Sequence, residues 1–378
     1  MGRVTDTPGT DAVAADVGPT LGYQPALDGI RAFAVVAVIA SHSSLWPHPG
    51  GYIGVDVFFT LSGFLITAIL LAEWSTDRRI RLGAFYRRRL LRLTPPLVAF
   101  VAVTAAWYEV VGSPAQRHAV TAGLPWILTY VGNWAEVRHV DLGPFSHLWS
   151  LAVEEQFYLL WAPLVAVALS SRWRERAVSW AAVGGLAACT VARLYPLASG
   201  GAPRGGYGTD VQCDGIFLGC ALAVAWHRDR LQMTPGRRRW LGVGGALILV
   251  DLGRHATLPG GTLAGEALVL AVAVATLAVI ASVILEPTAP LARLLSCRPA
   301  TWIGRRSYAI YLWHFPFTWA LATHGAPPAA RFLCGLGGSV LLAELSMDLI
   351  EGRVARWRRG LSARPARAPD EAERAPAS

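Results

Sequence analysis

Residues 26–42 read ALDGIRAFAVVAVIASH. The middle of this stretch is Ala, Val, Phe and Ile, a composition suited to lipid, yet it opens on Asp28 and Arg31 and closes on His42. Arg31 and His42 are eleven residues apart. At 100° per residue that is about three turns plus 20°, so both leave one face of a helix, roughly 16 Å apart along its axis. Asp28, fourteen residues before His42, falls on the same side. A plain reading puts Asp28 and Arg31 at the water interface and His42 at the far end of the helix. The rival reading is a polar stripe lining a cavity through the bilayer, since ionisable groups in spans face protein or water and often serve function.

The rest of the chain supports a membrane setting. Its 378 residues are 53% hydrophobic and 16% charged, with mean hydropathy +0.40, which is unlike a soluble domain. Long apolar runs recur to the end, so the fold class is all-α: a polytopic integral-membrane helical bundle. The expected spans are roughly 29–46, 52–73, 93–111, 152–171, 177–195, 211–226, 239–253, 264–285, 307–323 and 331–350, about ten transmembrane helices. Segment 123–135, GLPWILTYVGNWA, is too short and too broken by Gly and Pro for an ordinary span, and reads as a re-entrant or interfacial segment. Residues 1–25 read as a disordered cytoplasmic tail without the pattern of a cleaved signal peptide. Residues 26–352 form the membrane domain, and 353–378 a basic juxtamembrane and disordered cytoplasmic tail.

The net charge is +9, and every basic side chain is Arg or His; there is no lysine. Schiff-base and Walker-lysine chemistry are thereby excluded. Uniform Arg with abundant Ala, Gly and Val fits a GC-rich bacterial genome. The positive charge sits in clusters beside spans and does not call for nucleic acid. Segment 77–92 carries seven Arg, and 172–176, 227–230, 236–239 and 353–360 are also basic, while the alternate loops hold at most one Arg each. This alternation places the chain in a bacterial cytoplasmic membrane with both termini in the cytoplasm. The five cysteines show no CxxC spacing and read as small buried hydrophobes, with no disulfide framework or metal site implied.

Four polar constellations interrupt the apolar runs. The first is Asp28, Arg31 and His42: a cation at the cytoplasmic mouth, a base further in. The second is YIGVDVFFTLSGFLIT (52–67), where Ser62 and Gly63 suit helix packing but Asp56 needs a partner if buried. The third is FYRRRLLRLTPP (85–96), whose Arg89 and Arg92 share a helical face. Positive-inside anchoring accounts for generic arginines, but paired guanidinium groups also give planar contacts to phosphates. The fourth is SHLWSLAVEEQFYLLWAP (146–163), with a double carboxylate entering a span. Glu154 is placed to pair with an Arg or orient His42, and Glu155, 100° around the helix, to face solvent. Smaller signals are DGIFLGCALA (214–223) and SYAIYLWHFP (307–316), in which His314 reads as a satisfied structural histidine.

In this order, these motifs resemble the acyltransferase-3 family of integral-membrane O-acyltransferases over roughly 24–350. The matching residues are Arg31 with ten residues before His42, the Arg89/Arg92 RxxR pair, and Ser150, Glu154 and Phe157 in an SxxxExxF pattern. The resemblance implies ten helices, an acyl-CoA donor, usually acetyl-CoA, and transfer to a hydroxyl of a carbohydrate, glycoconjugate or secreted natural product. It implies that His42 is the essential histidine and Arg31 its partner, that Arg89 and Arg92 bind the donor, and that Glu154 serves the acceptor side; Arg31 is expected to join Arg89 and Arg92 in holding the donor's phosphates, with no metal needed. Asp28 or Glu154 is expected to fix the His42 tautomer, and His42 acts either as general base or as a transiently acylated nucleophile. Some members carry an added extracytoplasmic hydrolase-like domain. The sequence stops short of one, so it is expected to transfer directly or to feed a separate extracytoplasmic transferase. The competing class is a transporter, flippase or acyl-group translocator, because intramembrane Asp, Glu and His also mark transport routes.

Overall fold

The computed structural model describes residues 22–45, 52–198, 206–255, 262–347 and 349. The two tails read from the sequence lie almost wholly outside these. Among the described residues there is no β-strand, and the chain folds into fourteen α-helices. They are α1 Pro25–His42, α2 Tyr52–Asp77, α3 Leu82–Val111, α4 Pro114–Leu128, α5 Gly132–Val137, α6 Trp149–Ser170 and α7 Arg174–Ala198. The second half holds α8 Thr209–Gln212, α9 Asp214–His227, α10 Pro235–His255, α11 Leu263–Leu285, α12 Pro290–Leu295, α13 Arg298–Thr323 and α14 Pro328–Ser346.

Each of the ten expected spans falls on a helix: α1, α2, α3, α6, α7, α9, α10, α11, α13 and α14. Among the described residues seven stretches, those at α1, α2, α3, α6, α7, α11 and α14, are long and apolar enough to cross a membrane. The other three depart for visible reasons. α9 has only 14 residues, about 21 Å at 1.5 Å per residue, against a hydrocarbon core of about 30 Å. α10 opens on Pro-Gly-Arg-Arg-Arg, and α13 carries Arg298, Arg305 and Arg306.

α1 and α2 are the central wall, with an apolar cluster on either side. One includes Val35, Ile39, Phe59, Phe100, Trp149, Phe157 and Ile310, drawn from α1, α2, α3, α6 and α13. The other includes Leu27, Ile30, Leu61, Phe64, Trp226, Val272 and Ile280, from α1, α2, α9 and α11. Outward residues such as Leu160, Val167, Val183, Leu247 and Leu341 are exposed and apolar, as a lipid-facing surface requires.

In lipid, apolar burial does little to join helices, so close backbone approach carries more of the association. At the α2–α9 crossing, Gly215 and Gly219 form a GxxxG stripe. A Cβ on Gly219 would stand 2.0 Å from the Thr60 carbonyl oxygen, and one on Gly63 would stand 1.9 Å from that of Ile216. At the α1–α13 crossing, a Cβ on Gly304 would stand 1.8 Å from the Asp28 carbonyl oxygen.

Segment 123–135 is the end of α4, a turn and most of α5, and neither helix is long enough to span. Helix α4 begins at Pro114, within a stretch expected to be loop. Ser113 and Gln116 form a capping box, with Pro114 in the first turn. The irregular backbone here is satisfied by protein. Asn133, fully buried, donates to the Tyr207 carbonyl (3.1 Å) and to Thr209 Oγ1 (2.9 Å). Gln156 donates to the Tyr130 carbonyl (2.7 Å) and to Asn133 Oδ1 (2.9 Å).

Replacing Gly219 with Ala is expected to destabilise the bundle by on the order of 1–3 kcal/mol, because the obstructing atom is backbone. Gly184→Ala on α7, where a Cβ meets open space, is the control and should be neutral or mildly stabilising. Thermal unfolding of both variants in detergent checks this.

Candidate active site

The site begins with the charges of α1. Asp28 is buried, and both of its oxygens are engaged. Arg31 Nη1 donates to Oδ1 at 2.8 Å and the Tyr23 hydroxyl donates to Oδ2 at 2.9 Å. The ion pair spans three residues of one helix, so α1 itself orients the guanidinium.

Arg31 opens onto a cavity of about 370 Å³ walled by α1, α2, α3, α6 and α13. Helix α3 brings Arg88, Arg89 and Arg92 to the same cavity, and α6 brings Ser150, Glu154 and Tyr158. Four guanidinium groups and one carboxylate thus line a space otherwise walled by residues such as Phe58, Phe59, Ile66 and Leu93. Such a chamber suits a ligand with a polyanionic part and an apolar or neutral part.

Of the RxxR pair, Arg89 is held by α6. Arg89 donates to Glu155 Oε1 at 2.8 Å, and its guanidinium carbon lies 3.6 Å from the centre of the Tyr158 ring. Arg88 pairs with Glu73 at 3.6 Å. Tyr308 fastens α13 to α3 by donating its hydroxyl to the Leu93 carbonyl at 2.8 Å, just ahead of Pro95 and Pro96. On α6, Glu154 accepts a 2.6 Å hydrogen bond from the Ser62 hydroxyl of α2.

At the α13 wall the cavity meets Tyr311. Its hydroxyl donates to the His147 carbonyl (2.6 Å) and accepts from Ser150 Oγ (2.7 Å). Behind it lie three imidazoles. His314 Nδ1 is 2.6 Å from the Tyr311 carbonyl oxygen, and His314 Nε2 is 2.9 Å from His42 Nδ1. His147 Nε2 donates to the Leu312 carbonyl at 3.2 Å, and its ring stacks on Phe315 with centroids 4.8 Å apart. The His147 and His314 rings meet edge to face at 5.2 Å.

The structure therefore brings Arg31, Arg89, Arg92 and Glu154 to one cavity. His42 does not line it; Tyr311 joins the cavity to the His42 cluster. Two expectations are corrected. Neither Asp28 nor Glu154 hydrogen bonds to His42: Asp28 is engaged by Arg31 and Tyr23 at the opposite end of α1, and Glu154 accepts from Ser62. Glu155 does not face solvent but holds Arg89, since a carboxylate in a span needs a partner. His314 is satisfied at both ring nitrogens, and one of its partners is His42 on another helix. The i, i+3 spacing of Tyr311 and His314 and the double carboxylate were the available sequence signals; the partners across the bundle were not.

The family model described as an acyltransferase domain matches residues 24–345. Peptidoglycan O-acetyltransferase OatA of Listeria monocytogenes is 33% identical over 351 residues, covering 87% of this chain and 55% of the relative. A putative peptidoglycan O-acetyltransferase, YrhL of Bacillus subtilis, is 34% identical over 348 residues, covering 87% and 54%. O-acetyltransferase OatA of Staphylococcus aureus is 32% identical over 350 residues, covering 87% and 57%. The chain spans little more than half the length of these relatives. No solved structure matches.

A double-mutant cycle of Arg89→Ala and Glu155→Ala is expected to give a coupling energy between about 0.5 and 3 kcal/mol, because each group loses its partner in the single variants. Unfolding of the four proteins in detergent measures it.

Proposed function

The chain belongs to the acyltransferase-3 family, and on that premise we propose that it is a membrane O-acetyltransferase acting on a hydroxyl of a carbohydrate. The observation that carries this reading is the cavity in which Arg31, Arg89 and Arg92 converge, with its Tyr311 wall against the His42 cluster. An acyl-CoA donor, acetyl-CoA in the simplest case, fits the chemistry of that chamber. Guanidinium groups bind its phosphates by charge-assisted hydrogen bonds, and the thioester extends along the apolar wall toward Tyr311. The distribution of arginines supports donor entry from the cytoplasm and both termini on that side.

In this reading His42 takes the proton from the acceptor hydroxyl as the oxygen attacks the thioester carbonyl. The C–O bond forms, the C–S bond breaks, and the proton passes to the leaving thiolate, which departs as free thiol. Imidazole suits this exchange near neutral pH. Tyr311 has to yield for the donor to reach His42, since its side chain lies between the cavity and the histidines. Glu154, held by Ser62, serves the acceptor as a hydrogen-bond acceptor. The names of the relatives make a peptidoglycan sugar the first acceptor to try. A separate extracytoplasmic transferase is the alternative recipient.

The test is thiol release from acetyl-CoA by the purified protein in lipid, with and without sugar acceptors. His42→Ala is expected to lower turnover by about 10²–10⁴-fold while the protein remains folded. Arg92→Ala is expected to raise the donor KM roughly 10-fold or more, the equivalent of losing a hydrogen bond to a charged group. Acceptor-dependent release unchanged in His42→Ala would rule the reading out. Acyl-group movement without any thiol release would favour a transporter.

A further inference from the structure

Among the described residues His42 hydrogen bonds through one ring nitrogen, Nδ1, and its partner is another histidine. The direction of that bond follows from the chain of acceptors behind it. A carbonyl oxygen only accepts, so His314 Nδ1, 2.6 Å from the Tyr311 carbonyl oxygen, carries a hydrogen. A neutral imidazole has one N–H, so His314 Nε2 then presents a lone pair. The contact of 2.9 Å between His314 Nε2 and His42 Nδ1 requires the hydrogen to sit on His42 Nδ1. Nε2 of His42 is left without a hydrogen.

The alternative, a doubly protonated His314, is disfavoured by its surroundings. His314 is fully buried, its ring packs on His147 at 5.2 Å, and Phe315 flanks both His42 and His147. No carboxylate among the described residues hydrogen bonds to any of the three imidazoles. A positive charge on His314 would therefore lie among two further imidazoles with nothing opposite in sign to hold it. His147 is fixed in the complementary way, its Nε2–H donating to the Leu312 carbonyl, so it does not compete for the proton of His42.

We infer that His314 is a positioning residue that holds His42 in the Nδ1–H tautomer, using the Tyr311 main-chain carbonyl as the terminal acceptor, so that His42 Nε2 is the basic nitrogen. The inference rests on the proposed role of His42 as the base. It gives that role an atom: the acceptor's proton passes to Nε2 and returns from Nε2 to the thiolate. Hydrogen bonds running from Nδ1 toward a fixed carbonyl also orient the ring, as a second group orients the base in other acyl-transfer sites. In many such sites a carboxylate does this. Here a neutral imidazole does so without placing a charge in the middle of the bundle.

The test uses full-length protein labelled with 15N-histidine, in lipid, with the His42 signals assigned by their loss in His42→Ala. Magnetic resonance at neutral pH should show His42 protonated at Nδ1 and bare at Nε2. In His314→Asn, whose amide ends near the position of Nδ1, the bond to His42 is lost, and His42 should shift to the Nε2–H form or a mixture. In His314→Gln, whose amide reaches the position of Nε2, the carbonyl oxygen can accept from His42, and the wild-type form should return. Turnover should follow the same order: about 100-fold lower kcat in His314→Asn, partial recovery in His314→Gln, and an unchanged donor KM in both, since His314 does not line the donor cavity. A wild type with its His42 proton on Nε2 overturns the inference even if neither His314 variant folds. So does a His314→Asn protein with unchanged tautomer and kcat. The tautomer is read without turnover. A wild type in the Nδ1–H form that transfers no acyl group to any acceptor therefore supports the assignment and overturns the proposed function.

Discussion

A charge in the hydrocarbon region must find its partner within the protein. That constraint orders this bundle. Asp28 with Arg31, Glu155 with Arg89, Ser62 with Glu154 and Arg193 with Asp214 each tie a polar side chain to another, three of them across helices. Asp214, buried, and Arg193, at 3.1 Å, fasten the short helix α9 to α7. With few apolar forces between helices in lipid, these pairs and the glycine crossings determine which helices are neighbours. The neighbours in turn define the cavity: α1, α2, α3, α6 and α13 enclose it because their polar faces have nowhere else to go.

Polar groups are therefore arranged in two layers. Arginines and their carboxylates surround the cavity, and imidazoles with backbone carbonyls lie behind Tyr311. In the proposed function this division has a chemical logic. Phosphates need full positive charge, whereas a proton-transferring base needs a bare nitrogen and a fixed orientation. Tyr311 belongs to both layers, through its hydroxyl on Ser150 and the His147 carbonyl and through its own carbonyl on His314.

Much of this was legible in the sequence. Long apolar runs gave the helical membrane class, and the angular arithmetic on 26–42 put Asp28, Arg31 and His42 on one face of α1. The RxxR spacing anticipated that Arg89 and Arg92 would reach the same chamber. What failed was partner choice. A helix face can be computed from spacing, but the residue opposite depends on crossing geometry and register. Spacing alone therefore sends Glu155 to solvent and offers Asp28 as a partner to a histidine nearly four turns away. The two nitrogens of His314 show the same limit: the i−3 carbonyl that meets one is local in sequence, while the partner of the other is decided by the α1–α13 contact. That contact depends on the close approach at Gly304, a signal carried by a residue with no side chain to read. The start of α4 was missed for a local reason, the capping box at Ser113.

The central claim is that one passage runs from the arginine-lined cavity past Tyr311 to His42. A structure of the protein in lipid with a non-hydrolysable acetyl-CoA analogue tests it most directly. The account predicts the phosphates against Arg31, Arg89 and Arg92, the Tyr311 side chain displaced, and the acyl carbon within reach of an acceptor hydroxyl hydrogen bonded to His42 Nε2. An analogue bound outside this cavity, or bound with its acyl carbon walled off from His42 by an unmoved Tyr311, would contradict it.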